Sequence, residues 1–158
     1  MSKQKVKKLT KTITLNKKSK RDYFIEKKYE AGIALLGWEV KSLRAGKISI
    51  TESYIYIRNY QAWLIGALIT PLATTSSTSM IAPARVRKLL LNRNELSELQ
   101  TQVDQKGFTC VCVAMYWKRH LVKCEIALAK GKALHDKRFD DKKRDWEIQR
   151  QRLLRTST

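Results

Sequence analysis

The chain has 158 residues, 33 of them Lys or Arg against 14 Asp or Glu, and a formal net charge of +19. That length suits one domain with appendages, and a charge of that size opposes self-association, so a monomer is expected, while it attracts polyanions, with RNA or DNA first and an acidic membrane surface second. No apolar run is long enough to cross a bilayer and the basic N-terminus lacks an apolar secretory core, so the expected compartment is the cytoplasm, with free thiols at the three cysteines.

In chain order, Met1 to Lys11 is polar and Lys-rich without an apolar period and is expected to be a disordered basic arm. Met1 to Arg21 holds nine basic residues and no acidic one. Order is expected to begin near Ile13. Tyr23 to Leu36 reads as extended, with Gly32 as a bulge or bend. Gly37 to Gly46 reads as a short helix, with Val40 and Leu43 on one face and Gly46 as a left-handed cap. Ser53 to Thr70 reads as a hairpin in which Tyr54 and Tyr56 face one way and Ile55 and Ile57 the other, with Ala62 to Ile69 returning. Its turn falls at Asn59-Tyr60, where Tyr60 implies a longer loop or strain of about 1 kcal/mol.

Leu72 to Ala82 reads as a mobile surface loop. Asn92 and Glu95 form a capping box for a helix that buries Leu96, Leu99 and Val103 and ends at Gly107. Phe108 to Met115 and His120 to Ala129 read as a second long hairpin. Strands interrupted by two short helices predict a mainly β fold, a small closed antiparallel barrel and not a βαβ sheet. Beyond Ala129 the pattern changes to charge, with Phe139, Trp146 and Leu153 spaced by seven as a thin apolar stripe. Such a stripe does not anchor a helix to a core, so this tail is expected to be disordered when free and helical when a partner holds it.

The chemistry-bearing residues favour binding over catalysis. Neither His120 nor His135 has a nucleophile pattern nearby, and the tail's acidic residues alternate with Lys and Arg as in salt bridging, so no enzyme activity, catalytic residue or cofactor is expected. Cys110 and Cys112 on one strand and Cys124 on its partner read as small buried hydrophobes; a structural zinc site needs four ligands in tighter motifs, so no metal is expected. Basic residues mixed with aromatics carry the best signal: Asn16-Lys17-Lys18 before Tyr23 and Phe24, and Tyr116-Trp117-Lys118-Arg119. Rings stack on unpaired bases while cations neutralise phosphates. Phe24 is expected in the core, and Trp117 at the RNA. Gly131 between Lys130 and Lys132 is either a flexible strand exit or a close approach to phosphate.

Several of these segments together resemble the SsrA-binding protein family, small protein B, the partner of transfer-messenger RNA. They are Asn16-Lys17-Lys18, Asp22-Tyr23-Phe24-Ile25-Glu26, Tyr29-Glu30-Ala31-Gly32, Glu39 to Lys47, Arg87 to Leu91, Ala127 to Lys132 and His135-Asp136-Lys137-Arg138, in one order from about Thr12 to Arg155. The resemblance implies an oligonucleotide-binding-type barrel over 12–130, after an arm at 1–11 and before a tail at 131–158. It implies binding to the tRNA-like part of transfer-messenger RNA and its delivery to ribosomes stalled without a stop codon, that is, trans-translation. By motif, Asn16, Lys17, Lys18, Tyr23, Glu30, Leu90 and Lys123 belong to the RNA-binding surface. Lys130, Gly131, Lys132, His135, Asp136, Lys137 and Arg138 belong to the segment that reaches the decoding centre of the small subunit. Trp146, Leu153, Leu154 and Arg155 belong to a helix in the empty mRNA channel.

The sequence departs from the family pattern at Ala133, where a lysine is frequent, and at Tyr60, where a turn glycine is usual. Two other readings remain open at the level of sequence. One is a structural ribosomal or ribosome-assembly protein with a basic tail; the other is a general single-stranded RNA binder, for which Tyr54 and Tyr56 are the tidy aromatic pair.

Overall fold

A computed structural model describes residues 10–73 and 81–156, with the side chains of 134–136 and 156 outside the description. Its elements are β1 (Thr10–Leu15), α1 (Lys17–Asp22), β2 (Tyr23–Ile33), α2 (Gly37–Arg44), β3 (Ile48–Ser49), β4 (Tyr54–Arg58), β5 (Gln61–Ile65), β6 (Leu68–Ile69), β7 (Arg87–Leu90), α3 (Arg93–Lys106), β8 (Thr109–Lys118), β9 (Leu121–Gly131) and α4 (Leu134–Thr156). The fold is mainly β. One large antiparallel sheet has the order β1-β8-β4-β5-β7-β2-β9, with β8 also paired to β9, and a small sheet joins β3 to β6. The arm expected at 1–11 lies largely outside the described residues, and Thr10 and Lys11 already pair with Lys118 and Trp117 on β8. Most of the loop expected at 72–82 also lies outside them.

Local chemistry explains the elements. Glu39 turns back to accept from the Leu36 amide at 2.8 Å, which starts α2, and Gly46 follows its end at φ 72°. Asn59 and Tyr60 both adopt left-handed φ, 51° and 57°, so the β4–β5 connection is a two-residue turn whose twist matches the strands. The strained Tyr60 amide is held by Gln100 of α3 at 2.8 Å. The expected return strand to Ile69 breaks at Gly66. This residue sits at φ 82°, and a Cβ there would lie 2.6 Å from the Glu52 carbonyl oxygen, so the chain turns and β6 joins β3. In α3, Glu95 accepts from the Asn92 amide at 3.4 Å, Leu99 is fully buried, and Gly107 ends the helix at φ 68°.

The core is filled by Leu43, Ile50, Ile55, Leu64, Ile69, Leu89, Leu99, Met115 and Ile126. Cys110, Cys112 and Cys124 are free and buried among them. Burial pushes the Cys110 thiol up to about 12, as suits an inert apolar filler. Glu39 and Arg87 are also fully buried. Arg87 Nε donates to Glu39, and its remaining donors reach the carbonyls of Ala67 at 3.0 Å, Arg85 at 2.9 Å and Pro83 at 3.0 Å. Burial alone pushes the Glu39 carboxyl up. The hydrogen bonds from Arg85, the Leu36 amide and Arg87 outweigh it and hold that carboxyl below its usual range.

Gly32 does not mark a bulge. The register of β2 against β9 shifts between Ile25 and Lys27, while Gly32 is paired on both edges, with Leu90 and with Lys123. In the tail, Leu134–Thr156 has helical geometry. Its first turns are held to the domain: Lys137 reaches Asp22 at 3.3 Å and Asp141 reaches Arg21 at 3.1 Å. Asp140 accepts from Lys132. From Lys142 to Arg155 every residue is exposed, including Trp146, Leu153 and Leu154. No helix among the described residues is long and apolar enough to cross a membrane.

Candidate nucleic-acid interface

The expected RNA-binding residues fall into two groups at opposite ends of β2. The first group lies on the outer surface where β7, β2, β9 and β8 run side by side. Leu90, Gly32, Lys123 and Tyr116 are successive cross-strand partners on these strands. Leu90 is 55% exposed although it is apolar. A groove of about 330 Å³ beside it is lined by Leu90, Leu35, Val40, Trp117, His120 and Lys123, among others. Glu30 lies two positions back on β2 and accepts from Tyr116 Oη and, at 2.9 Å, from Lys118 Nζ. The Tyr116 hydroxyl and the Lys118 ammonium hold its carboxyl below the usual range. Burial and the Glu30 carboxylate together push the Tyr116 phenol up, so it stays a donor. The other carboxylate nearby, Glu125, pairs with Lys28 at 3.2 Å. The face therefore presents an apolar side chain and cations, with its acids already engaged.

The second group gathers where β2 begins and β9 ends. Lys17 and Lys18 are exposed on α1, Tyr23 is half-buried against Val111, Val113, Ala127 and Ala129, and Tyr23 pairs with Gly131. Lys18 reaches Glu52 at 2.7 Å. The Lys132 ammonium lies 4.9 Å from the centre of the Phe24 ring and 3.3 Å from the Lys20 carbonyl, and its amide donates to the Asp22 carbonyl at 2.8 Å. Lys130 sits over Phe108 at 4.7 Å. Thus Lys130, Gly131, Lys132 and Lys137 continue the basic surface of α1, and α4 leaves from it. A Cβ on Gly131 would meet nothing within 4 Å, so the packing places no demand for glycine there. The side chains of His135 and Asp136 lie outside the described residues. Tyr23 and Gly32, at the two ends of β2, are ~30 Å apart at the rise of an extended strand.

Three expectations change. Asn16 is only 3% exposed: its Nδ2 donates to the carbonyls of Ile50 at 3.1 Å and Cys112 at 3.0 Å, and its Oδ1 accepts from the Ser19 amide at 3.1 Å. It caps α1 and ties it to β8, so its place is inside the fold and not on the RNA face. Phe24, expected in the core, is 52% exposed under Lys132. In the Tyr116-to-Arg119 stretch, Tyr116 and Lys118 reach Glu30, while Trp117 packs on the core and lines the groove. Alternation along β8 carried that signal, since Tyr116 and Lys118 share a face that Trp117 does not.

The family model described as SmpB protein matches residues 13–156. The chain belongs to the SmpB protein family. Among curated relatives, the SsrA-binding protein of Saccharophagus degradans is 57% identical over 143 residues, 90% of each chain. That of Pseudomonas fluorescens is 55% identical over 157 residues, 99% of this chain and 97% of its own. That of Pseudomonas aeruginosa is 58% identical over 145 residues, 91% of each. A solved structure described as "tmRNA-SmpB: a journey to the center of the bacterial ribosome" has a TM-score of 0.63 at 41% identity and covers 77% of this chain and 85% of the other.

Proposed function

We propose that this protein binds the tRNA-like part of transfer-messenger RNA and delivers it to stalled ribosomes for trans-translation. The observation that carries this reading is the family match over residues 13–156, with relatives named for SsrA binding aligned along nearly the whole chain. The division of the surface supports it. The Leu90, Lys123 and Glu30 face offers an apolar contact and cations to a folded RNA, while ~30 Å away Tyr23 and Gly131 to Lys137 form a second basic surface from which α4 extends. In this reading the Glu30, Leu90 and Lys123 face, with Lys17, Lys18 and Tyr23, holds the carried RNA, while Lys130 to Arg138 and the tail meet the ribosome.

The sheet is read as a closed barrel of the oligonucleotide-binding type. β8 is hydrogen-bonded to β9 and, through Ile55 and Cys110, to β4, so the strand order returns from β9 to β8, with β1 added at the β8 edge. In this reading Asn16 acts at one remove, by fixing α1 so that Lys17 and Lys18 stay presented. His135, Asp136 and Arg138 continue the ribosomal surface, and α4, ~34 Å long, is the element that occupies the mRNA channel only when mRNA is absent, through Trp146, Leu153, Leu154 and Arg155. The work is positioning and shape substitution in the cytoplasm, by a monomer, with no covalent step.

The test is to purify the protein from cells under native conditions and sequence the RNA that accompanies it. Enrichment of transfer-messenger RNA over ribosomal RNA is expected. Stoichiometric ribosomal RNA without that enrichment would point to a resident ribosomal protein, and heterogeneous RNA to a general single-strand binder; either would overturn the proposal.

A further inference from the structure

The outer surface of β4 and β5, with Lys88 of β7, has no part in the function just described. Tyr54 and Tyr56 face outward on β4 and are 49% and 44% exposed, while Ile55 and Ile57 enter the core. Tyr56 is the direct partner of Trp63 on β5, and Trp63 is the partner of Lys88 on β7. The Lys88 ammonium stands 5.9 Å from the centre of the Trp63 ring. Arg58 adds a second cation at the turn end of β4. Among the described residues, no outward position of these three strands carries a carboxylate.

The row also has a direction. Its Tyr54 end lines a depression beside α1 shared with Lys18, Tyr23, Asp22 and Glu52, where Glu52 is paired with Lys18 at 2.7 Å. Its other end is Leu90, the next outward position after Lys88 on β7 and the partner of Gly32. The aromatic row therefore runs between the two basic clusters that β2 holds apart. Aromatic pairs across strands also stabilise sheets. A purely stabilising pair has no need of flanking cations, nor of a surface free of acids.

We propose that the outward face of β4, β5 and β7 is a further RNA-binding surface, where unpaired bases stack on Tyr54, Tyr56 and Trp63 while Lys88 and Arg58 hold the phosphates. Every base has a π-face, so such a surface tolerates any sequence, and it requires that the RNA be unpaired. Three rings at strand spacing present stacking partners ~5–7 Å apart, a distance an extended single strand can follow. The rings themselves, Tyr54, Tyr56 and Trp63, lie outside the Glu30, Leu90 and Lys123 face, so they can be tested separately from the tRNA-like RNA reading.

The experiment uses the full chain and labelled oligoadenylate and oligouridylate, followed by fluorescence anisotropy at one near-physiological salt concentration, with the tRNA-like RNA titrated in parallel. Tyr56→Ala with Trp63→Ala is expected to weaken binding of both oligonucleotides on the order of tenfold or more, whereas Tyr56→Phe with Trp63→Phe keeps it within about twofold. Affinity for the tRNA-like RNA is expected to stay unchanged in both variants. Because the alanine pair removes packing as well as rings, an unsubstituted protein is also crosslinked by light to a 4-thiouridine oligonucleotide, and the crosslinks are expected at Tyr54, Tyr56 or Trp63. Equal oligonucleotide affinity of the alanine and phenylalanine pairs, or crosslinks confined to α4, would overturn the proposal. Failure of the unsubstituted protein to bind the tRNA-like RNA would contradict the proposed function instead and leave the oligonucleotide result readable.

Discussion

A Cβ on Gly32 of β2 would stand 3.3 Å from the Cβ of Leu90, its partner on β7, and 3.6 Å from Leu90 Cδ1. A side chain at position 32 would press on Leu90 closely enough that Leu90 must give by a few tenths of an ångström. Gly32→Ala is therefore expected to displace Leu90. More than half of Leu90 faces solvent, so the side chain has room to move and the stability cost is expected to stay near ~1 kcal/mol. RNA affinity should fall as it does for Leu90→Ala, and the double variant should be no worse than Leu90→Ala alone, because both act through one contact. Additive losses in a gel-shift titration would mean that Gly32 serves the RNA by another route.

The Glu39–Arg87 pair is expected to govern stability and not RNA affinity. Glu39→Gln leaves the buried Arg87 charge without a counter-ion and should cost ~3–5 kcal/mol in urea unfolding, whereas Arg87→Met leaves Glu39 with Arg85 and the Leu36 amide and should cost less. The pH dependence follows from the sign of the shift. The Glu39 carboxyl is held below its usual range in the folded protein, so its contribution is complete above the unfolded value of about 4.3 and is lost as pH falls through the folded value. The parent protein should lose stability on acidification through that window, and Glu39→Gln should lose less. Parallel stability curves would contradict the assignment.

Glu30 is an acid on the proposed RNA-binding surface, where its carboxylate is engaged by Tyr116 and Lys118. Glu30→Ala should weaken binding to the tRNA-like RNA by releasing both groups from their positions, although it removes a negative charge. The lowered carboxyl keeps the parent ionised, so its affinity should be flat between pH 7 and pH 5. Tighter binding by Glu30→Ala would show that simple repulsion is its main effect.

Much of this architecture was legible because period and turn chemistry agreed. The β4 alternation, the Asn92–Glu95 cap with Gly107, and the β8–β9 hairpin all stand where they were expected. β7 was missed as a strand because one of its two inward residues is Arg87, beside Leu89, which breaks the polar and apolar alternation that marks a half-buried strand; Glu39 and the carbonyls of Ala67, Arg85 and Pro83, most of them distant in sequence, make that burial possible. α1 was missed because Lys17 to Asp22 has no apolar period, and its signal was the Asn16 cap. That same residue was read as an RNA contact, since a motif does not reveal whether a residue touches the ligand or holds the element that does.

Order along α4 is expected to be graded. Ion pairs of Lys137, Asp140 and Asp141 hold its first turns, and the exposed remainder has little packing to offset the cost of helix formation. Amide exchange in the free protein should therefore be slower up to about Asp141 than beyond Lys142, and Asp22→Ala should narrow the difference. Uniform slow exchange along the whole helix would contradict the graded order.

The central claim is that carrying the RNA and sensing the empty channel are separate tasks of separate parts. It is tested most directly by protein truncated after Arg138, supplied with saturating transfer-messenger RNA in a reconstituted assay of tagging on stalled ribosomes. The truncation spares every residue of the Glu30, Leu90 and Lys123 face, and RNA titration on the same sample confirms that the face still binds. The expected result is RNA affinity close to that of the full chain with tagging abolished. Full tagging by the truncated protein would contradict the claim.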